Sequence, residues 1–120
     1  MPNWQPNWND VRWDWGAASD AARALRQTAD RLDDITAQRL RLAGEAQLEW
    51  RGRHRLRFDG ELSALVRQAR DLAGELRRKA SEIDRQSSRA RDEQRHRERE
   101  RERWRRERDE ERRRAERHES

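Results

Sequence analysis

The stretch LRFDGELSALVRQARDLAGELRRKASEI, residues 56–83, carries the clearest structural signal in this 120-residue chain. Its apolar side chains recur at intervals of three or four residues, which is the period of one face of an α-helix. The members of this face are Phe58, Leu62, Leu65, Ala69, Leu72, Leu76, Ala80 and Ile83. The pattern predicts a long amphipathic helix that buries one side.

A second segment with the same period precedes it, over residues 17–48. Its large apolar positions include Leu25, Leu32, Ile35 and Leu42. The break between the segments contains Gly52, which can adopt the left-handed conformation that ends a helix. Two long amphipathic helices joined by a short break bury their apolar faces by folding back on each other. The sequence therefore predicts an all-α, antiparallel two-helix hairpin with its turn at residues 50–53. We expect the alanine-lined backs of its helices to receive a second hairpin.

The two flanks differ from this central segment in composition. Residues 1–16 hold both prolines and four of the six tryptophans, and proline opposes helix, so an extended arm is expected. Residues 85–120 hold 15 Arg and 11 acidic residues, and their acid–arginine spacing favours a long charged helix. The predicted domains are thus a Trp/Pro-rich arm at 1–16, a helical hairpin at 17–84, and an Arg/Glu-rich helical or disordered tail at 85–120.

The arm tryptophans are expected to lie against the start of the tail. Pairing residue for residue about Gly52 places Trp13 and Trp15 near Ala90, and Trp8 opposite His96. Indole rings stack favourably on guanidinium groups, so we expect docking on the arginine stems of residues 85–96 and a detached tail beyond about Arg105. The alternative is that Trp4, Trp8, Trp13 and Trp15 form a surface for a partner or a membrane interface.

Composition argues against several classes of protein. The chain is 46% charged and 31% apolar, too little to build an enclosed substrate pocket. It has no cysteine, and its three histidines are too scattered for a metal cluster. No apolar run approaches the length of a membrane span, and residues 1–16 lack the core of a cleavable signal peptide. No Ser, His and Asp arrangement suggests an activated nucleophile. A non-enzymatic protein without cofactor or metal is expected.

One motif, Trp50-Arg51-Gly52 at the break between the two helices, is typical of a known protein family. Together with Phe58, six residues beyond Gly52, and the absence of cysteine, it resembles the WXG superfamily of type VII (ESX) secretion. The resemblance covers roughly residues 17–96 and is to actinobacterial-like members, here with an Arg/Glu-rich C-terminal extension. It implies a hairpin that dimerises into a four-helix bundle, as a homodimer or with a related WXG hairpin. Helix packing and dimer contacts would then involve Leu25, Leu32, Ile35, Leu42, Phe58, Leu62, Leu65, Leu72, Leu76 and Ile83.

The resemblance implies a substrate, partner or chaperone of a type VII secretion pathway. Such a protein is cytoplasmic before export and is secreted without a cleavable signal peptide. This chain lacks the Tyr-x-x-x-Asp/Glu signal that often follows the second helix in the family, because it has no tyrosine; His96 and Glu100 share only its spacing. The chain is therefore the unmarked partner of a heterodimer, a cytoplasmic relative, or exported through a variant signal.

Two other functions fit the residues. One is an intracellular coiled-coil scaffold with no link to secretion. The other is an arginine-rich binder of nucleic acid or an anionic surface, because the chain carries a net charge of +5. Acidic residues neutralise most of the positive field in the tail, so nucleic acid is not the expected partner.

Overall fold

The computed structural model of the protein describes residues 1–48 and 52–119, and over these ranges it contains two α-helices and no strand. Helix α1 spans Trp15–Gln47 and helix α2 spans Arg53–Glu119. Asp14 stands immediately before α1, at the position where a carboxylate can cap a helix. The predicted all-α class is confirmed, and α2 continues through the charged tail as far as Glu119.

The chain divides into two compact units. The first unit spans Gly16–Asp84 and contains α1 from its second residue together with the first part of α2. The second unit combines Met1–Trp15 with the part of α2 that begins at Arg85. Residues 1–14, called the arm below, lie outside any helix.

In the first unit the two helices run antiparallel. Side-chain contacts join the first half of α1 to residues near the middle of α2, and the end of α1 to the beginning of α2. They link Arg26 with Asp84 at 2.6 Å, Arg77 with Asp30 at 2.9 Å and Asp33 at 2.6 Å, and Gln47 with Asp59. The predicted hairpin arrangement is confirmed for this unit.

Alanines fill the seam between the two helices. The buried residues of the first unit are Ala18, Ala22, Ala29 and Ala43 from α1, and Ala73 and Ala80 from α2. Small side chains let helix backbones approach closely, so larger residues beside the seam remain partly open to solvent. These six alanines face the partner helix of the same chain. Other alanines, among them Ala17, Ala21 and Ala24, are exposed on the outer face of α1, and the docking of a second hairpin there stays a prediction.

Gly52 marks the start of the second helix after the turn. Its φ is +93°, in the left-handed region that favours glycine, and its carbonyl accepts a hydrogen bond from the Leu56 N–H at 3.3 Å. The predicted left-handed glycine is confirmed. Trp50 and Arg51, the other residues of the motif, lie outside the described residues.

Alanine substitutions at Gly44, Gly52 and Gly60 can measure how much the left-handed backbone at Gly52 constrains the chain. A Cβ added at Gly44, Gly52 or Gly60 would meet no atom within 4 Å, so the three sites differ in φ and not in space. We expect Gly44→Ala and Gly60→Ala each to raise the free energy of unfolding by about 0.5–1 kcal/mol, because alanine is the better helix former. Gly52→Ala should lower it by about 1–2 kcal/mol because of the left-handed backbone.

Urea unfolding of the three variants and the unchanged chain provides the comparison. Equal shifts at all three glycines would show that the conformation of Gly52 does not constrain the hairpin.

Candidate functional site

An open apolar groove of about 590 Å³ runs between α1 and α2 in the first unit. Six residues that the sequence had indicated line it: Leu32, Ile35, Leu42, Phe58, Leu62 and Leu65. The alanine seam explains the groove, because it leaves these larger side chains beside the line where the helices meet. The remaining four of the set, Leu25, Leu72, Leu76 and Ile83, are not among its lining residues.

Much of the apolar surface in this groove has no cover. Leu42 is 58% exposed and Leu65 is 62% exposed, although each belongs to the apolar period of its helix. Contiguous exposed apolar surface of this kind marks interaction sites on proteins that otherwise hide their leucines. The groove therefore presents apolar side chains of both helices to solvent.

Charged side chains fix the register of the two helices beside the groove. Arg77 of α2 donates to the carboxylates of Asp30 and Asp33 in α1. These two hydrogen bonds, first that to Asp30 and then that to Asp33, raise the pKa of the Arg77 guanidinium above its ordinary value. Exposed ion pairs contribute little stability, and their effect here is to select one alignment of the helices.

The second unit contains a different surface, a row of residues on α2 that the arm covers. We call this row the strip; it consists of Ser87, Ala90, Gln94, Arg97, Arg101, Trp104, Arg108 and Glu111. Its members repeat at intervals of three and four residues and are all buried or half-buried. The same spacing runs through Leu76, Ala80 and Ile83 earlier in α2. The three-four spacing thus continues along α2, but the side chains at these positions change from mainly apolar to mainly hydrogen-bonding.

The strip binds the backbone of the arm. The arm is extended and has few hydrogen bonds of its own, so its peptide groups need other partners. Four strip residues supply them at 2.8–3.0 Å. Gln94 accepts from the Val11 N–H, Arg97 donates to the Asn9 carbonyl, Arg101 donates to the carbonyls of Asn7 and Asn9, and the Trp104 indole donates to the Trp4 carbonyl.

The tryptophans add contacts that depend on side-chain identity. Three indole N–H groups find acceptors on α2: Trp4 donates to Glu107 at 2.6 Å, and Trp13 and Trp15 donate to the hydroxyl and the carbonyl of Ser87. The rings of Trp8 and Trp104 meet edge to face with centroids 5.3 Å apart. Trp104 is only 6% exposed. It is the apolar centre of this unit.

Arginines also lie over two of these indole rings. The guanidinium of Arg103 is 4.5 Å from the ring centroid of Trp4, and that of Arg105 is 5.7 Å from the centroid of Trp8. Such cation–π contacts contribute about 0.5–1 kcal/mol each at exposed sites. The predicted stacking of arm tryptophans on arginines therefore occurs, at positions further along α2 than expected.

The predicted register of the arm is wrong. Trp8 lies against Trp104 rather than His96, and the arm extends to an ion pair of 2.5 Å between the Met1 amino group and Glu111. An extended chain advances about 3.3 Å per residue, whereas a helix advances about 1.5 Å. Each arm residue therefore passes about two helical residues. The arm also contacts the tail beyond Arg105, as far as Glu111, so the predicted detachment beyond Arg105 is wrong for this stretch, whereas residues 112–119 are exposed.

Asp10 provides an ionic contact in the middle of the arm. Its carboxylate accepts hydrogen bonds from Gln94 at 3.0 Å and from Arg101 at 2.9 Å. The bond from Gln94, followed by that from Arg101, lowers the pKa of Asp10 below its ordinary value. Asp10 therefore stays ionised across the physiological pH range and remains an acceptor for both strip residues.

Sequence reasoning missed the strip because its residues are polar. The signal that could have revealed it is the three-four spacing of Ser87, Ala90, Gln94 and Trp104 in phase with Ile83. Within residues 1–48 and 52–119, no His, Asp and Glu side chains cluster as a metal site would require. The helices of this same part include none long and apolar enough to cross a bilayer. Comparison with family models, curated proteins and solved structures finds no match.

Two substitutions at Trp104 separate its apolar and hydrogen-bonding contributions to arm binding. Trp104→Ala should remove about 3 kcal/mol of local stability, because a buried ring and its contact with Trp8 are lost. Trp104→Phe keeps most of the buried surface and loses the donor to the Trp4 carbonyl, which should cost about 1 kcal/mol. The measurement is hydrogen exchange of the amides of residues 7–11 and 94–104. Equal loss of protection in both variants would show that ring burial does not hold the arm.

Proposed function

We propose that this protein is a non-enzymatic, WXG-type helical hairpin that acts by helix–helix association in a type VII (ESX) secretion pathway. Its role there is that of substrate, partner or chaperone. The observation that carries the proposal is the open apolar groove of the first unit, in which leucines from both helices stand half exposed.

The shape and chemistry of the groove favour a helical partner. Its lining residues follow the helical period on α1 and on α2, so they offer two parallel rows of apolar side chains rather than an enclosed cavity. A second hairpin presents two matching rows, and packing the four helices together would cover both grooves. Burial of the exposed part of these apolar side chains favours association and opposes the loss of translational and rotational freedom on pairing. The partner is a second copy or a related hairpin.

The link with type VII secretion is supported by the sequence motif and its place in the fold. Trp50-Arg51-Gly52 falls at the junction of α1 and α2. Gly52 has a left-handed backbone, and Phe58 lines the apolar groove. These features resemble the turn of the WXG hairpins, in which the motif occupies the same place between the helices.

The association can be tested with leucine substitutions inside and outside the groove. Leu42→Gln with Leu65→Gln should prevent self-association or partner binding at micromolar concentration, because both side chains lie in the groove. Helicity should remain, since neither residue is buried within the hairpin. Sedimentation equilibrium and circular dichroism measure the two properties.

The matched control places the same substitutions at Leu48 and Leu56. These leucines are 83% and 75% exposed and are not among the groove-lining residues. The control variant should associate as the unchanged chain does. A cooperatively folded monomer formed by the unchanged chain in the presence of its own copies and of related hairpins would contradict the proposal.

Export is tested separately, in the organism that encodes the protein. We expect the chain in the culture filtrate, and we expect it to remain in the cells when the secretion ATPase is inactivated. Trp50→Ala should reduce export while leaving the chain folded. Association through the groove without any ATPase-dependent export would instead favour a coiled-coil scaffold.

A further inference from the structure

We infer that the strip on α2 can bind the arm of a second copy of this chain in place of its own arm, so that two copies exchange arms. This interaction belongs to the second unit and does not depend on the apolar groove. The surface is the strip from Ser87 to Glu111, and the partner is an extended segment that carries tryptophans.

The strip is built to hold an extended chain rather than a helix. Gln94, Arg97, Arg101 and Trp104 bond to main-chain atoms of Trp4, Asn7, Asn9 and Val11. A helix uses its own backbone N–H and C=O groups internally and could not accept these bonds. Whatever replaces the arm must therefore offer a free, extended backbone.

The tryptophan contacts narrow the choice of partner. Glu107 and the Ser87 hydroxyl accept the indole N–H groups of Trp4 and Trp13, while Trp8 packs on Trp104. Ser87 is the first residue of the strip and Glu107 lies beside its other end, so a ligand needs tryptophans at the spacing of the arm. The arm of another copy satisfies this requirement in full, together with the carboxylate of Asp10.

The arm is also suited to leave its own strip. The hydrogen bonds that Trp4, Asn7, Asn9, Asp10, Val11 and Trp13 make beyond the arm lead to α2. The strip of another copy would offer the same partners for each of these hydrogen bonds. Exchange of an identical segment between two copies is for this reason a low-cost route to dimers. The tether to α1 favours the chain's own arm through a high effective concentration. Exchange therefore dominates when a chain's own arm or own strip is impaired.

A complementation experiment uses this dependence. One full-length variant has an impaired arm (Trp4→Ala, Trp8→Ala, Trp13→Ala) and an intact strip. The other has an impaired strip (Arg97→Ala, Arg101→Ala, Trp104→Ala) and an intact arm; alanine preserves helix propensity in α2. Both also carry Leu42→Gln and Leu65→Gln, so that groove association is removed. Mixed at about 100 µM, they should form a one-to-one complex in native mass spectrometry, while each alone stays monomeric.

The control replaces the strip-impaired chain by one with Arg95→Ala and Arg99→Ala. These arginines are exposed and outside the strip, so this chain keeps its arm bound to itself. It should give about tenfold less complex, because its arm is not free to bind elsewhere. The absence of a complex in the first mixture, or equal amounts in both, would overturn the proposal.

A labelled synthetic peptide of residues 1–14 gives a second measurement that leaves α2 unchanged. It should bind the arm-impaired chain and bind the unchanged chain about tenfold more weakly, since the latter's strip is occupied. Equal binding to both, or binding to neither, would contradict the inference. If the chains that carry Leu42→Gln and Leu65→Gln still dimerise when each is alone, the groove proposal fails. Arm exchange is then judged by whether the mixed complex requires an intact arm on one chain and an intact strip on the other.

Discussion

The structure depends on one constraint, the need of α2 to cover a heptad row that continues along a single helix of 67 residues. No isolated helix can bury one of its own faces, so the buried positions of this row require a partner, whereas groove residues such as Leu65 stay open to solvent. In the first unit the row is mainly alanine and leucine, and its partner is the helix α1. In the second unit it is Ser87, Gln94, Arg97, Arg101 and Trp104, and its partner is the extended arm. The chemistry of the row decides which kind of partner fits.

The choice of alanine for the seam has a consequence for function. Alanines at Ala22, Ala29, Ala73 and Ala80 are almost completely buried, and they leave little apolar area to hold the two helices together. The leucines that could have stabilised the hairpin instead line the groove and stay accessible. The proposed pairing with a second hairpin would add apolar burial that the hairpin alone lacks.

The arm shows how a strongly charged helix can be ordered without an apolar face. Surface ion pairs between arginine and carboxylate contribute little, and they recur along the tail at three- and four-residue spacing. The backbone of the arm forms hydrogen bonds with side chains of α2, such as that between the Trp104 indole and the Trp4 carbonyl. The Trp104 indole of α2 is itself buried. Arg101 alone bonds to Asn7, Asn9 and Asp10. The arginines of the strip are thus ligands of a peptide, a role that composition does not reveal.

The sequence by itself determined the two helices, their antiparallel pairing within residues 16–84, and the left-handed turn residue Gly52. These features follow from local periodicity and backbone preference, which need no knowledge of distant contacts. It also determined the set of large apolar residues, but not which of them line a groove. Only the tertiary structure decided that alanines rather than leucines fill the seam, because both sets have helical spacing and the choice depends on how closely the helices approach. Only the tertiary structure placed Trp8 on Trp104, because an extended arm and a helix advance by different distances per residue.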